Sequence, residues 1–135
     1  MSRGKSRATV DRSKVSDYLK VADNFYRGAE VAREFEYWNA AGVLIVHAAI
    51  ALADAVSIKL GGVKSRGDDH HDTIALLEEL VASSEQKRKA LQQLRRIIDH
   101  KNTVSYSGSV YEEADIEQLW KQVSRFREWA MDVLG

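Results

Sequence analysis

The run "YWNAAGVLIVHAAIALA", Tyr37 to Ala53, constrains the fold of this chain more than any other stretch, because it holds seventeen consecutive residues without a charge. A bilayer span takes about 20 apolar residues, and Asn39 and His47 interrupt the apolar character here. The reading is a buried core helix, with no membrane association. Through "AAGVLIVHAAIALADAV" the apolar residues surround the helix axis on nearly every side, so neighbours must cover it all round. Its alanines and Gly42 let those neighbours come close. The helix is expected from about Tyr37 to Leu60, and Gly61-Gly62 ends it, because glycine accepts the left-handed turn that follows a helix.

The partners are legible as stripes. Val15, Tyr18, Leu19, Ala22, Phe25, Tyr26 and Ala29 recur at steps of three and four and predict a first helix running to about Phe35. "IALLEELVA" predicts a short third helix, capped by Asp72 or Thr73. After Ser83-Ser84 a fourth helix carries Ala90, Leu91, Leu94, Ile97, Ile98 and Val104 on its seam. "SYSGS" interrupts the pattern, and Ser109 to Glu112 has the spacing of a capping box. Ile116, Leu119, Trp120, Val123, Phe126, Ala130 and Val133 share one face of a last helix. No strand pattern competes, and the absence of proline permits long helices. A chain of 135 residues suits one core. The expected fold is all-α, an up-and-down bundle of four to five helices with short connections, over residues 15–135. Residues 1–14, "MSRGKSRATVDRSK", hold five basic groups and one acid. They read as a frayed, solvated tail in preference to a nucleic-acid-binding arm.

Composition excludes several chemistries. The chain has no cysteine, so disulfides, zinc–thiolate sites and a cysteine nucleophile are ruled out, which fits a reducing cytoplasm. Twenty basic and twenty acidic residues cancel, so the molecule is no general polyanion binder, although a local basic patch is compatible with that balance. No glycine-rich phosphate loop, G-x-S-x-G or H-E-x-x-H is present. "DDHHD", Asp68 to Asp72, has metal-ligand residue types, but adjacent side chains rarely converge on one ion, and acids suit the start of a helix anyway. It is read as a solvated loop, and neither a metal nor a cofactor is expected.

The polar chemistry concentrates in "LRRIIDHKNTVSYSG", Leu94 to Gly108. At 100° per residue Leu94, Ile98 and Lys101 fall in one narrow arc, which puts Lys101 on the apolar seam. Either its stem carries the ammonium out to water, or the seam there faces a second subunit or a ligand phosphate. Arg95, Asp99, Asn102 and Tyr106 form a second stripe, in which Arg95 and Asp99 are spaced for a surface ion pair. Arg96 and His100, four apart, can hold an anion, with His100 titrating near neutral pH; the competing reading is a solvated face. His47 reads as a hydrogen-bonded core residue rather than a ligand. Asp54, seven residues on, is either its partner or the point where the helix emerges.

Several segments together resemble HEPN proteins (higher eukaryote and prokaryote nucleotide-binding). "FYRGAEVAREFEYWNAAGVLIVHAAIALADAVSIKLGG" looks like the family's first two helices, and "LIVHAAIAL" puts His47 at the place of the histidine in its second-helix pattern Y-Y-A-x-F-H-A-A-x-A-L, which adds His47 to the ligand-binding set. "DDHHDTIALLEEL" resembles the family's loop and short third helix. "KNTVSYSGSVYEEADIEQLWKQVSRFREWAMDVL" is similar to its ending. The resemblance covers about Val15 to Leu134 and implies a bundle that pairs as a homodimer. It also implies that ribonuclease members carry Arg, four to six residues, then His, at the start of the fourth long helix, and that two such motifs face each other across the dimer.

In that register this chain has Lys101 and Tyr106. Lysine lacks the planar fork of arginine, and a phenol titrates near 10, so it supplies no base near neutral pH. The resemblance therefore implies a non-catalytic module that binds a nucleotide, RNA or a partner protein. Arg95, Arg96 and Lys101 would hold phosphate, and Asn102 and Tyr106 would orient the ligand. A small nucleotidyltransferase is the implied partner, as in a toxin–antitoxin pair. Two alternatives stand beside it. One is a metal-free endoribonuclease in which His100 is the base and Arg95 stabilises the phosphate, since Arg95 and His100 also satisfy the bare spacing. The other is a structural dimerisation bundle.

Overall fold

A computed structural model describes residues 7–66 and 70–135. The chain folds as an all-α bundle in which α1 (Val15–Glu34), α2 (Trp38–Gly61), α3 (His71–Leu80), α4 (Glu85–Asp99), α5 (Lys101–Tyr106) and α6 (Glu113–Leu134) follow in order. The apolar run forms α2, and α2 is the hub: α1, α3, α4, α5 and α6 all pack against it. It has the length and apolar composition of a membrane span, but 83% of its most apolar stretch is buried inside the fold. Neighbouring helices therefore take the place that lipid would fill. Gly62 at φ 65° ends α2 in the left-handed turn, as its position after the last apolar residue implies.

The long helices are amphipathic. Helix α1 buries Ala22, Ala29 and Ala32 against α2. Helix α6 buries Ile116, Leu119, Val123, Phe126 and Ala130, while Trp120 and Val133 lie at the margin of the same face. There Trp120 stacks on Tyr26 at 4.5 Å, the Arg33 guanidinium lies over the Trp120 ring, and that of Arg127 lies over Tyr26. Arg33 also forks onto Glu117 at 2.7 and 2.8 Å, which ties α1 to α6. Between α3 and α4 the buried Lys87 donates to Glu78 O at 2.8 Å and Val81 O at 2.9 Å. Its ammonium thus satisfies carbonyls that the end of α3 leaves open.

The structure corrects several expectations. Residues 7–14 are not a frayed tail. Arg7–Thr9 forms strand β1, antiparallel to β2 (Val63–Ser65), with Arg7 opposite Ser65. Arg12 then donates to Lys59 O at 3.0 Å and Leu60 O at 3.3 Å, closing the last carbonyls of α2. Residues 1–6 of the proposed tail lie outside the described residues. A three-residue ladder carries too little alternation to register as a strand in the sequence. Neither Asp72 nor Thr73 caps α3: the N-cap is His70, whose side chain makes no capping bond, and Asp72 pairs with Arg7 at 3.4 Å. The capping box lies three residues later than Ser109–Glu112, between Glu112 and Asp115. The fourth helix is not continuous, because His100 separates α4 from α5.

One glycine sets how close α5 can come. A Cβ on Gly42 would meet Val104 Cγ2 at 2.6 Å and Ile116 Cδ1 at 3.4 Å. A methyl group here forces the Val104 side chain of α5 to shift. Gly42→Ala is expected to cost about 1–3 kcal/mol of unfolding free energy, as overpacking does, despite alanine's better helix propensity. Urea unfolding measures it, and an unchanged midpoint would mean α5 does not sit on α2 this closely.

Candidate functional site

The site is built around the break at His100. The imidazole Nδ1 lies 2.7 Å from the Tyr111 hydroxyl, across the loop that joins α5 to α6. Burial, with a further push from Asp115, raises the pKa of the Tyr111 phenol, so it stays protonated. A protonated phenol can donate into Nδ1, which places the ring proton on Nε2. Asn39, in the first turn of α2, holds the same loop from the other side. Its amide donates to Val104 O at 3.1 Å and Ser109 O at 2.9 Å, and its oxygen accepts from Tyr111 N at 2.8 Å. These contacts fix α5 as a separate six-residue helix whose outer side carries Asn102 and Tyr106.

Both of those side chains are exposed, Tyr106 to 80%. Arg95 and Arg96 are exposed on α4, and Lys101 is half-buried. Among the described residues, none of Arg95, Arg96, Lys101, Asn102 and Tyr106 makes a side-chain hydrogen bond or ion pair within the chain. By contrast Arg7, Arg27, Arg33 and Arg88 are each paired with carboxylates.

Three pairings that the spacing allows do not form within the chain. Asp99 pairs with His71 Nε2 at 3.3 Å rather than with Arg95. His100 pairs with Tyr111 rather than with Arg96. Nor are Arg95 and His100 brought together: Arg95 lines a polar depression with Glu78, Ser84, Lys87 and Arg88, while His100 is turned toward Tyr111. The five-residue step places the two on different sides of α4.

His47 is not a core residue. It is exposed, and its ring packs against Phe25 with 5.5 Å between centroids. Partial burial, and then the Lys101 ammonium, lower its pKa, so it is neutral at pH 7. His47 and Lys101 therefore share one side of the molecule. Asp54 lines the same groove as His47 but is not its partner, and it does not mark where α2 emerges. It is only 7% exposed, and the nearest cation is Lys64 at 3.9 Å. Burial pushes its pKa up to about 7 against the opposing pull of Lys64.

Of the "DDHHD" stretch, Asp68 and Asp69 lie outside the described residues. His71 and Asp72 are engaged with Asp99 and Arg7. Among the described residues no group of three or more His, Cys, Asp or Glu side chains is arranged to hold a metal ion.

A bundle of amphipathic helices around one all-apolar helix, with basic and hydrogen-bonding groups on its penultimate helices, defines a small helical module. The profile of the HEPN domain matches residues 15–133, and the chain belongs to the HEPN domain family. That makes it, in general terms, a helical module of the nucleotide- and RNA-related kind. Comparisons with curated proteins and with solved structures return no significant match.

Sequence reasoning missed Asn39 and Tyr111 as the residues that organise the site. Asn39 had a signal. An amide inside an apolar helix needs hydrogen-bond partners, and with His47 it interrupts the otherwise apolar stretch that follows Trp38. Tyr111 had none beyond lying next to a capping sequence.

Proposed function

We propose that this chain is a non-catalytic HEPN-type module that binds a nucleotide or RNA on the α4–α5 surface, acting as a cytoplasmic homodimer beside a small nucleotidyltransferase. The observation that carries the reading is that, among the described residues, Arg95, Arg96, Lys101, Asn102 and Tyr106 follow one another along α4 and α5 with no side-chain hydrogen bond or ion pair in their own chain. Guanidinium and ammonium groups left unpaired are what a phosphate requires. An exposed phenol beside them offers a face for a base to stack on. The non-catalytic part of the reading is supported by Lys101 and Tyr106 standing in the register where the family's ribonucleases carry Arg and His, and by the engagement of His100 with Tyr111.

Fluorescence anisotropy with labelled nucleotides and short RNA tests the reading. Wild type is expected to bind, and Lys101→Glu to bind about tenfold more weakly with a shallower dependence on salt, as loss of one phosphate contact implies. Equal affinity of the two proteins sinks the site. Incubation with RNA in EDTA is expected to leave the RNA intact. Cleavage that disappears in His100→Ala would favour the ribonuclease reading instead. Sedimentation velocity checks the dimer, and single chains at every concentration would remove that part of the proposal.

A further inference from the structure

The groove between α1 and α2 combines features that the α4–α5 surface does not use. It is a cavity of about 260 Å³ lined by Asp17, Tyr18, Val21, Phe25, His47, Ile50, Ala51 and Asp54. Its walls are aromatic and aliphatic, and Val21 is left 45% exposed along it. Two carboxylates line it, Asp17 at the exposed edge and Asp54 at the buried base.

Asp54 is the anomaly. A buried carboxylate ordinarily sits in a closed ion pair or accepts several hydrogen bonds. Even the part-exposed Glu117 and Glu79 meet a guanidinium at close range, Arg33 at 2.7 Å and Arg7 at 2.8 Å. The buried Asp54 has no such contact. Among the described residues no donor reaches its carboxylate, and Lys64 stands off at 3.9 Å, its ammonium drawn over the Tyr18 ring at 5.7 Å. Acceptor capacity at the base of an apolar pocket is thus left open toward that pocket.

We infer that this groove binds a small organic ammonium ion with an apolar body, its cation held by Asp54 and its body packed between Phe25, Val21 and Ile50. Charge complementarity selects that class: both acids lining the cavity are anionic when ionised, and His47, its other titratable wall besides Tyr18, is neutral at pH 7. The cations nearby are Lys64 and Lys101. Lys64 competes for Asp54 without filling the cavity, so it tunes affinity downward. The volume lies just under the usual range of about 300–1,000 Å³ for ligand pockets, which admits a single-ring amine rather than a larger molecule.

The test uses the full chain at pH 8 with 2-phenylethylammonium as probe and 2-phenylethanol as the uncharged control of the same shape. Two-dimensional NMR should show saturable binding below about 10 mM, a reasonable ceiling for so small a ligand, with shifts centred on Val21, Phe25 and Ile50. The alcohol should bind about tenfold more weakly, as loss of a charged hydrogen bond implies. Asp54→Asn should weaken the ammonium by a similar factor. Lys64→Met should tighten it about threefold, because it removes the competing cation; a merely structural pocket would not respond in that direction. Equal binding of alcohol and ammonium, shifts mapping elsewhere, no saturation, or weaker binding by Lys64→Met would each overturn the assignment.

Discussion

Replacing Asn39 with alanine is expected to lower the unfolding free energy by about 1.5–4.5 kcal/mol, the sum of three hydrogen bonds at about 0.5–1.5 kcal/mol each. The three are the amide's bonds to Val104 O and Ser109 O and the bond its oxygen accepts from Tyr111 N. Alanine keeps α2 helical, so the loss falls on the connection rather than on the helix. With the clamp gone, α5 and the loop to α6 keep Val104 against Gly42, His100 against Tyr111 and the packing of α5 on α2 and α4. Hydrogen exchange at the Val104 and Tyr111 amides should then accelerate before global unfolding. Affinity for nucleotide or RNA should fall in parallel, because Lys101, Asn102 and Tyr106 lose their fixed placement. A change in stability below about 0.5 kcal/mol, within the range of ordinary surface substitutions, would show that the clamp does not organise this end of the bundle.

The second large effect is a pH dependence from Asp54. Its folded pKa is pushed up to about 7 from an ordinary 3.8. Between those values the folded chain holds a proton that the unfolded chain has released. Stability contributed by this group is therefore complete below about pH 4 and is lost as the pH rises through about 7. The loss is about 4 kcal/mol, from a shift of about three pKa units at 1.36 kcal/mol each. Asp54→Asn should flatten this part of the profile and make the protein more stable than wild type at pH 8. A gain of about 1–3 kcal/mol is expected, since the attraction to Lys64 is given up at the same time. His47 acts in the opposite sense: its pKa is depressed, so its contribution is lost as the pH falls below about 6.5. Subtracting the profile of the variant from that of wild type cancels it. Urea unfolding of both proteins from pH 4 to 8 provides the measurement, and parallel profiles would mean that Asp54 is not buried in this way.

The helices were legible because burial writes itself into spacing. The α1 stripe, the all-apolar α2, the Gly61-Gly62 stop and the inner face of α6 each follow from periods of three and four. Element ends were less legible. Asp72 has the chemistry of a cap, but Arg7, far away in sequence, claims it. Glu112 and Asp115 form the capping box that Ser109 and Glu112 only imitate in spacing. The break at His100 carries no proline or glycine to announce it, and its ties run to Tyr111 on the far side of a loop.

For the candidate site, the sequence supplied the residue types of α4 and α5 but paired them by proximity along one helix. Arg95 with Asp99 and Arg96 with His100 are reasonable at four-residue spacing, and both give way to longer-range partners. A surface pair on a helix is worth only a few tenths of a kcal/mol, so a tertiary contact easily displaces it. His47 illustrates the same limit. An apolar run says that most of a helix is covered, but not which position is left facing the groove beside Phe25.

The sequence by itself determined that this chain folds as helices around one uncharged helix, because the periodicity of burial is a local property of residue order. It also determined family membership, because enough of that order is shared along residues 15–133. Only the tertiary structure decided which polar groups stay free. It paired Asp99 with His71, bound Asn39 to the α5–α6 loop, and left Asp54 facing a cavity with Lys64 out of hydrogen-bonding reach. Hydrogen bonds and ion pairs depend on distances of a few ångströms between residues far apart in the chain, and the packing of α2 against its neighbours sets those distances.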